Sequence, residues 1–144
     1  MTRESEQFDH GADVGVRGYG ATPSEAFEGA AEALFGLLAA EPSAVRPVVE
    51  ERIACHAGGL EELLVAFLNE LIFLASSRGL VFGRFAVEIQ EAAPSGYRLR
   101  AQVWGEPYDP KRHESTVEPK GATLTALRVE EAAGRWLAQC VIDV

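Results

Sequence analysis

Two stretches of the chain repeat hydrophobic residues every three or four positions, the spacing that places them on one face of a helix. The first covers residues 27–38 and follows Thr-Pro-Ser-Glu at residues 22–25, which offers a capping hydroxyl, a proline at the first helical position and a glutamate that can reach back to the cap. The second covers residues 60–75. Two glutamates lie in its first turn and Arg78 lies in its last, which is the order of charges that the helix dipole favours, and Gly79 is a typical residue to end it. The pattern therefore predicts two helices.

Elsewhere hydrophobic and polar residues alternate, as they do in a strand with one buried face. Residues 81–89 and 97–103 show this alternation on either side of Pro94-Ser95-Gly96, which predicts an antiparallel hairpin with one face in water. Further strands are predicted at residues 14–20, 45–57, 122–129 and 135–144. Two helices packed on a mostly antiparallel sheet make an α+β fold, and we expect residues 1–144 to form a single domain because no long polar linker divides them.

Composition and charge narrow the function classes. The chain is 47% hydrophobic and 24% charged, which is ordinary for a globular protein, and no apolar run approaches the ~18 residues of a membrane span. The polar N-terminus is unlike a signal peptide, so a cytoplasmic protein with no membrane partner is expected. Cys55 and Cys140 lie in strand-like apolar segments and are predicted to be unpaired thiols. The net charge of -9 disfavours direct, non-specific nucleic-acid binding and suits cations or a basic partner protein.

Acidic groups near the two ends of the chain form a candidate cation site. Asp9, His10 and Asp13 crowd a short turn near the N-terminus, and Asp143 interrupts the last apolar strand beside Val144. If the two ends meet, their side chains and the Val144 carboxylate supply the hard oxygen ligands that divalent cations bind. The alternative is that the two N-terminal aspartates accept hydrogen bonds from N–H groups of the turn, while Asp143 projects into water.

A second polar cluster lies in the loop that starts at residue 105. Lys111, Arg112, His113 and Lys120 gather positive charge that could bind phosphate or an acidic partner surface, although a solvated loop with compensating charges explains them as well. The sequence has no G-x-S-x-G motif, no P-loop and no Cys/His pairs at zinc-finger spacing. It therefore gives no support to a covalent nucleophile, a P-loop nucleotide site or a zinc finger.

Four motifs, in one order along the chain, resemble the archease family. They are Asp9-His10-Gly11-Ala12-Asp13-Val14-Gly15, the helix at residues 60–71, Gly105-Glu106 with Asp109, Arg112 and His113, and the end Cys140-Val141-Ile142-Asp143-Val144. The chain departs from the family at Gly11, where threonine is usual, and at Leu124 and Thr125, where tyrosine and histidine are typical. The match otherwise extends over nearly the whole chain.

The resemblance implies a non-catalytic activator of the RNA-splicing ligase of tRNA splicing and RNA repair, which joins 2′,3′-cyclic or 3′-phosphate ends to 5′-hydroxyl ends. Such a protein promotes guanylylation and multiple turnover of the ligase and meets RNA only indirectly. The resemblance also implies a divalent cation, calcium first and manganese or magnesium as alternatives. Carried over by position, the ligands are Asp13, Asp143 and Val144. Candidates for a second shell or a functional surface are Asp9, His10, Arg112, His113 and Lys120.

Two other functions stay open at this stage. The first is a stand-alone metal-dependent phosphoester hydrolase, with Asp13 and Asp143 as ligands and His10 as general base. The second is a metal-independent chaperone or scaffold that acts through the surface of the sheet.

Overall fold

The structure is a computed structural model, and it describes residues 4–144. Its strands are β1 (Glu4–His10), β2 (Asp13–Gly20), β3 (Val49–Ala57), β4 (Leu80–Glu91), β5 (Tyr97–Pro107), β6 (Gly121–Ala122), β7 (Arg128–Ala132) and β8 (Arg135–Asp143). Its α-helices are α1 (Pro23–Phe35), α2 (Leu60–Arg78) and the short α3 (Pro110–His113), and a 3₁₀ turn covers Pro42–Ala44.

The strands form two antiparallel sheets. In the larger one, β8 is central: β2 pairs with one of its edges, β6 and β7 pair with the other, and β1 lies outside β2. The smaller sheet has the order β3-β5-β4. Both long helices lie between the sheets, because α1 contacts β2, β8 and β4, whereas α2 contacts β3, β5 and β6. The first hairpin of the chain therefore runs alongside its last strand.

The core lies where the two long helices meet the sheets. The Phe27 ring of α1 stacks on the Phe67 ring of α2, with 6.1 Å between their centroids. Phe35 packs against Phe82 and Phe85 of β4, at centroid distances of 5.4 and 5.6 Å. These side chains are at most 3% exposed, so α1 is buried on two sides by different sheets.

Helix α1 also protects an edge of the smaller sheet. The N–H of Val87 donates to Glu28 Oε2 at 2.8 Å, and the N–H of Ile89 donates to the Ser24 hydroxyl at 3.2 Å. Both donors belong to β4, which is an edge strand of the smaller sheet. The helix thus satisfies part of an edge that would otherwise be open to pairing with another chain.

The α+β class, the two long helices and the β4–β5 hairpin are confirmed. The Thr22 hydroxyl accepts the N–H of Glu25 at 3.2 Å, as predicted for the start of α1, and Gly79 ends α2 in the left-handed conformation with φ 63°. Both cysteines are unpaired, also as predicted. Within residues 4–144, no helix has the length and hydrophobicity needed to cross a membrane.

Three expectations about the strands are corrected. The strands form two sheets rather than one. Strand β1 was missed because its side chains are almost all exposed, which leaves no hydrophobic alternation to detect. The predicted strand at 122–129 is two separate strands: Thr123 N–H bonds to Val141 O, and Val141 N–H bonds to Thr125 O, so the segment between β6 and β7 loops against β8 and leaves Leu124 exposed.

Candidate functional site

The acidic groups near the two ends of the chain come together at one end of the larger sheet. Strand β2 begins at Asp13 and β8 ends at Asp143, and the pairing of Val14 with Ile142 places these termini side by side. The N–H of Val144 donates to Asp13 Oδ1 at 3.4 Å. Asp13 and Val144 are half-buried, whereas Asp143 is exposed. The expectation that the two ends meet is confirmed, and cation binding there stays a prediction.

The neighbouring residues of the first turn are more open. His10 lies opposite Asp13 in the β1–β2 pairing, and Asp9 lies opposite Val14. Both side chains are exposed, and neither forms a hydrogen bond or ion pair with any residue of the described range 4–144. The turn itself uses Gly11 at φ +62°, a conformation that a threonine would adopt only with strain. Asp9 and His10 thus border the site without being fixed in it.

Strand β6 brings Lys120 to the same end. The backbone N–H of Lys120 donates to the carbonyl oxygen of Asp143 at 2.7 Å, and Gly121 pairs with Asp143. Asn69 of α2 anchors the strand, because its Oδ1 accepts the N–H of Ala122 at 2.8 Å. Sequence reasoning missed this role of Asn69, and hydrophobic periodicity could not reveal it, since the two partners are 53 residues apart.

His113 belongs to a separate, buried cluster. It is 3% exposed; its Nδ1 accepts the N–H of Asp109 at 2.8 Å, and its Nε2 lies 3.0 Å from Glu106 Oε2. A ring nitrogen that accepts carries no proton, so the proton lies on Nε2 and is donated to Glu106. The imidazole is therefore neutral in this arrangement, and it joins the start of α3 to the end of β5.

Glu106 is the centre of that cluster, and sequence reasoning noted it only as part of a motif. It is 6% exposed, and its Oε2 accepts the N–H of Arg46 at 2.9 Å and pairs with the guanidinium of Arg112. Burial alone would raise the pKa of Glu106, but the Arg46 N–H, the His113 ring and the Arg112 charge outweigh it and hold the pKa below its ordinary value. The carboxylate is therefore ionised at neutral pH.

The loop between α3 and β6 connects the buried cluster to the cation-site end. Two backbone bonds fix α3 and this loop to the segment that follows α1, from Ala40 N–H to His113 O at 2.8 Å and from Thr116 N–H to Leu37 O at 2.9 Å. Beneath it lies a cavity of about 290 Å³, lined mainly by apolar side chains from α1, α2, the loop and the segments that follow α1 and β5, among them Leu34, Phe35, Leu38, Ile72, Tyr108 and Val117. Arg112 and His113 thus hold a loop whose other end carries Lys120.

The donors at the cation-site end suit a hard divalent cation, but residues 4–144 supply few of them. Asp13 and Asp143 offer carboxylates, and Val144 offers main-chain oxygens, all of the kind that Ca²⁺ and Mg²⁺ bind. Among residues 4–144, no group of three or more His, Cys, Asp or Glu side chains is placed to hold a metal ion. Calcium takes about six to eight oxygen ligands, so several would have to come from water or from a partner.

These features define a class: an α+β domain with two helices between antiparallel sheets and a pair of acidic groups where the first hairpin meets the last strand. The chain belongs to the archease protein family (MTH1598/TM1083), whose pattern it matches over residues 6–144.

Relatives in several archaea agree with this assignment. The archease of Pyrococcus furiosus is 41% identical over 99% of both chains, and that of Thermococcus gammatolerans is 44% identical over the same shares. The solution structure of protein 1598 of Methanobacterium thermoautotrophicum has a TM-score of 0.84 with 30% identity, covering 97% of this chain and 98% of that one. The crystal structure of a Thermotoga maritima archease, described as a possible chaperone, has a TM-score of 0.59 with 20% identity over 96% of both chains and shares the fold.

Proposed function

We propose that this protein activates an RNA-splicing ligase of tRNA splicing and RNA repair by promoting guanylylation of the ligase. Membership of the archease family supports an accessory role with a protein partner. The observation that carries the proposal is the meeting of Asp13 with the end of β8, which creates an acidic, partly exposed site. Such a site suits a protein that works at the active site of another.

The chemistry of the proposed site follows from its donors. Guanylylation transfers a nucleotide from GTP, and a divalent cation supplies neutralisation of phosphate charge to such a reaction. Asp13, Asp143 and the main-chain oxygens of Val144 are the residues that would hold it. Asp13 is oriented by the Val144 N–H, whereas Asp143 is exposed and its carbonyl oxygen accepts the backbone N–H of Lys120, which is also exposed. Exposure of this end lets phosphate and partner groups approach.

Two exposed hydrophobic side chains lie on the elements next to β6 and support a protein partner. Phe73 is 61% exposed and lies one helical turn beyond Asn69, the residue that anchors β6. Leu124 is 73% exposed and follows Thr123, which is bonded to Val141 of β8. Large apolar side chains left in water next to a polar site are the kind of contact that a partner protein buries.

The thiols also fit an accessory role in a reducing compartment. Burial raises the pKa of Cys140 to about 12, and burial together with the charge of Glu70 raises the pKa of Cys55 to about 11. Both thiols therefore stay protonated at neutral pH and are poor nucleophiles. Unpaired cysteines are typical of cytoplasmic proteins, and we place the function in the cytoplasm on that ground.

The test is multiple-turnover RNA joining by the partner ligase with GTP and a divalent cation. We expect Asp13→Asn and Asp143→Asn each to lower the activated turnover rate by about tenfold or more, because each removes a charged ligand. Joining by a ligase that is already guanylylated should not change. Glu131→Gln is the matched control, since this exposed glutamate lies in β7 opposite Trp136, away from the site.

Three outcomes would count against parts of this proposal. Full activation by both aspartate variants would remove the site from the function, and no activation by the wild-type protein would reject the ligase role. Metal-dependent phosphoester cleavage without any ligase, abolished by the same two variants, would favour the hydrolase.

A metal-independent scaffold is the second candidate, because Phe73 and Leu124 are exposed whatever ion is present. Calorimetry that finds no divalent-cation binding, together with partner binding that is lost in Phe73→Ser and Leu124→Ser, would favour it.

A further inference from the structure

The outer face of the smaller sheet carries a line of arginines. From Arg84 onward in β4, throughout β3 and as far as Trp104 in β5, the even-numbered residues point away from the helices, and most of them are exposed. They form four successive cross-strand rows, and each row contains one arginine. The rows are Glu50–Trp104–Arg84, Arg52–Gln102–Ala86, Ala54–Arg100–Glu88 and His56–Arg98–Gln90.

The rows give the line a regular spacing. Neighbouring rows are two residues apart along each strand, which is about 7 Å, so the four rows extend over about 20 Å along the strands. Arg84 and Arg52 lie on the two edge strands, and Arg98 and Arg100 lie on the central strand β5. A depression of about 700 Å³ lies along the middle of the face and is lined by residues of all three strands, including Arg52, Arg100 and Gln102. Ala54 and Ala86 line it as well, and their small side chains leave room above the sheet.

The charges on this face differ from those of the whole molecule. Four arginines stand against Glu50 and Glu88, whereas the chain as a whole carries a net charge of -9. Glu50 pairs with Arg52 at 3.1 Å, and Glu88 accepts a bond from Gln90 at 2.9 Å.

The two arginines of β5 are left with free guanidinium groups. Within residues 4–144, the side chains of Arg98 and Arg100 form no ion pair or hydrogen bond. Two further acids are engaged by other partners: Glu51 pairs with Arg78 at 2.7 Å, and Glu28 of α1, which lines the depression at the edge of β4, accepts the N–H of Val87.

An aromatic platform lies at one end of the line. Trp104 is half-buried in the first row, and the guanidinium carbon of Arg84 lies 4.8 Å from the centroid of its ring. A partly exposed ring with a stacked guanidinium beside a row of basic side chains is the combination that holds bases and phosphates of single strands.

We propose that this face binds single-stranded RNA, with the phosphates along the four arginines and a base near Trp104. This function is separate from the Asp13–Asp143 site, which lies on the other sheet, and it does not depend on ligase activation. A linear polyanion fits better than the acidic surface of a folded protein, because the four guanidinium groups follow one another row by row along the strands, and Trp104 with the Arg84 guanidinium offers a stacking surface for a base. The negative charge of the rest of the molecule makes the binding weak and strongly salt-dependent.

The experiment is fluorescence anisotropy with a labelled oligouridylate of about 20 nucleotides, long enough to exceed the site sizes usual for single-strand binders. We expect the double variant Arg98→Gln/Arg100→Gln to bind about tenfold more weakly at low salt. The slope of log K against log salt should fall by about 1.4, since each lost phosphate contact removes about 0.7. Arg128→Gln/Arg135→Gln is the control, because it makes the same change in net charge on the larger sheet.

The aromatic contact has its own variants. Trp104→Phe should keep most of the affinity and Trp104→Ala should lose it, with circular dichroism and thermal melting used to select variants that remain folded. Three results would overturn the proposal: no binding by the wild-type protein at low salt, an equal loss in both double arginine variants, or displacement of the RNA by polyglutamate at equal charge concentration. The last result would assign the face to an acidic protein.

Discussion

At the scale of single residues, Glu106 shows how a buried charge can organise separate segments. Its carboxylate accepts from the Arg46 N–H before β3, from the His113 ring of α3 and from the Arg112 guanidinium. The motif that contains Glu106 and His113 can be recognised in the sequence, but their burial cannot, because it depends on α1 and the loop closing over them. From sequence alone, charged residues in a predicted loop are expected to be exposed to solvent.

We predict that Glu106→Gln lowers the free energy of unfolding at neutral pH by about 1–3 kcal/mol, the range for a hydrogen-bonded charged group. The pKa of Glu106 is depressed in the folded state, so its stabilisation is fully present above the ordinary value of 4.5 and is lost as the pH falls through the lower, folded value. Urea unfolding from about pH 6 to about pH 3 measures how the free energy of unfolding changes as Glu106 is protonated. The wild-type free energy should fall more steeply below pH 4.5 than that of the variant.

Glu131→Gln, which changes an exposed glutamate, is the control for that measurement and should follow the wild-type curve. Parallel pH dependence in the wild type and in Glu106→Gln would show that Glu106 is not the group responsible.

At the scale of elements, the packing of α1 on β2 depends on two glycines. A Cβ atom at Gly18 would lie 2.1 Å from the backbone oxygen of Ala26, and one at Gly29 would lie 2.4 Å from the backbone oxygen of Glu4. Both contacts are with backbone, which cannot move aside as a side chain can. The helix therefore lies closer to the larger sheet than any residue with a Cβ at these positions would allow.

We predict that Gly29→Ala destabilises the protein by about 1–3 kcal/mol, the usual cost of overpacking. Helix propensity alone predicts the opposite sign, because alanine is favoured over glycine in a helix interior by about 1 kcal/mol. Chemical unfolding decides between the two. Gly58→Ala is the control, since a Cβ there meets nothing within 4 Å, and it should be neutral or slightly stabilising. A more stable Gly29→Ala protein would contradict the close approach.

Elements that show a pattern in their own sequence could be predicted, whereas elements that form only by pairing with distant residues could not. Helix α2 has its leucines, its first-turn acids and its Gly79 stop within 20 residues of sequence, and the structure keeps all of them. Strand β1 has no such pattern, because it forms only by pairing with β2. The division into two sheets follows from α1 covering the edge of β4. The approach of Asp13 to Asp143 was predictable because each lies at a strand end.

At the scale of the whole molecule, the cation-site end joins parts of the chain that are far apart in sequence. Asp13 and Val144 are 131 residues apart, and their contact links the first hairpin to the last strand. A cation held by Asp13 and Asp143 would bind the folded protein and not the unfolded chain, since the unfolded chain does not hold the two carboxylates together. Binding of this kind stabilises the fold by mass action.

We therefore predict that a divalent cation raises the melting temperature of the wild-type protein. At about 100 times its dissociation constant, one bound ion adds about 2.7 kcal/mol, which corresponds to a shift of about 5–10 °C for a domain of this size. Thermal melting of chelator-treated protein with added calcium, manganese or magnesium identifies the preferred ion. Asp143→Asn should abolish most of the shift, whereas Glu131→Gln should retain it. A shift that survives in the double variant Asp13→Asn/Asp143→Asn would place the ion elsewhere on this acidic molecule.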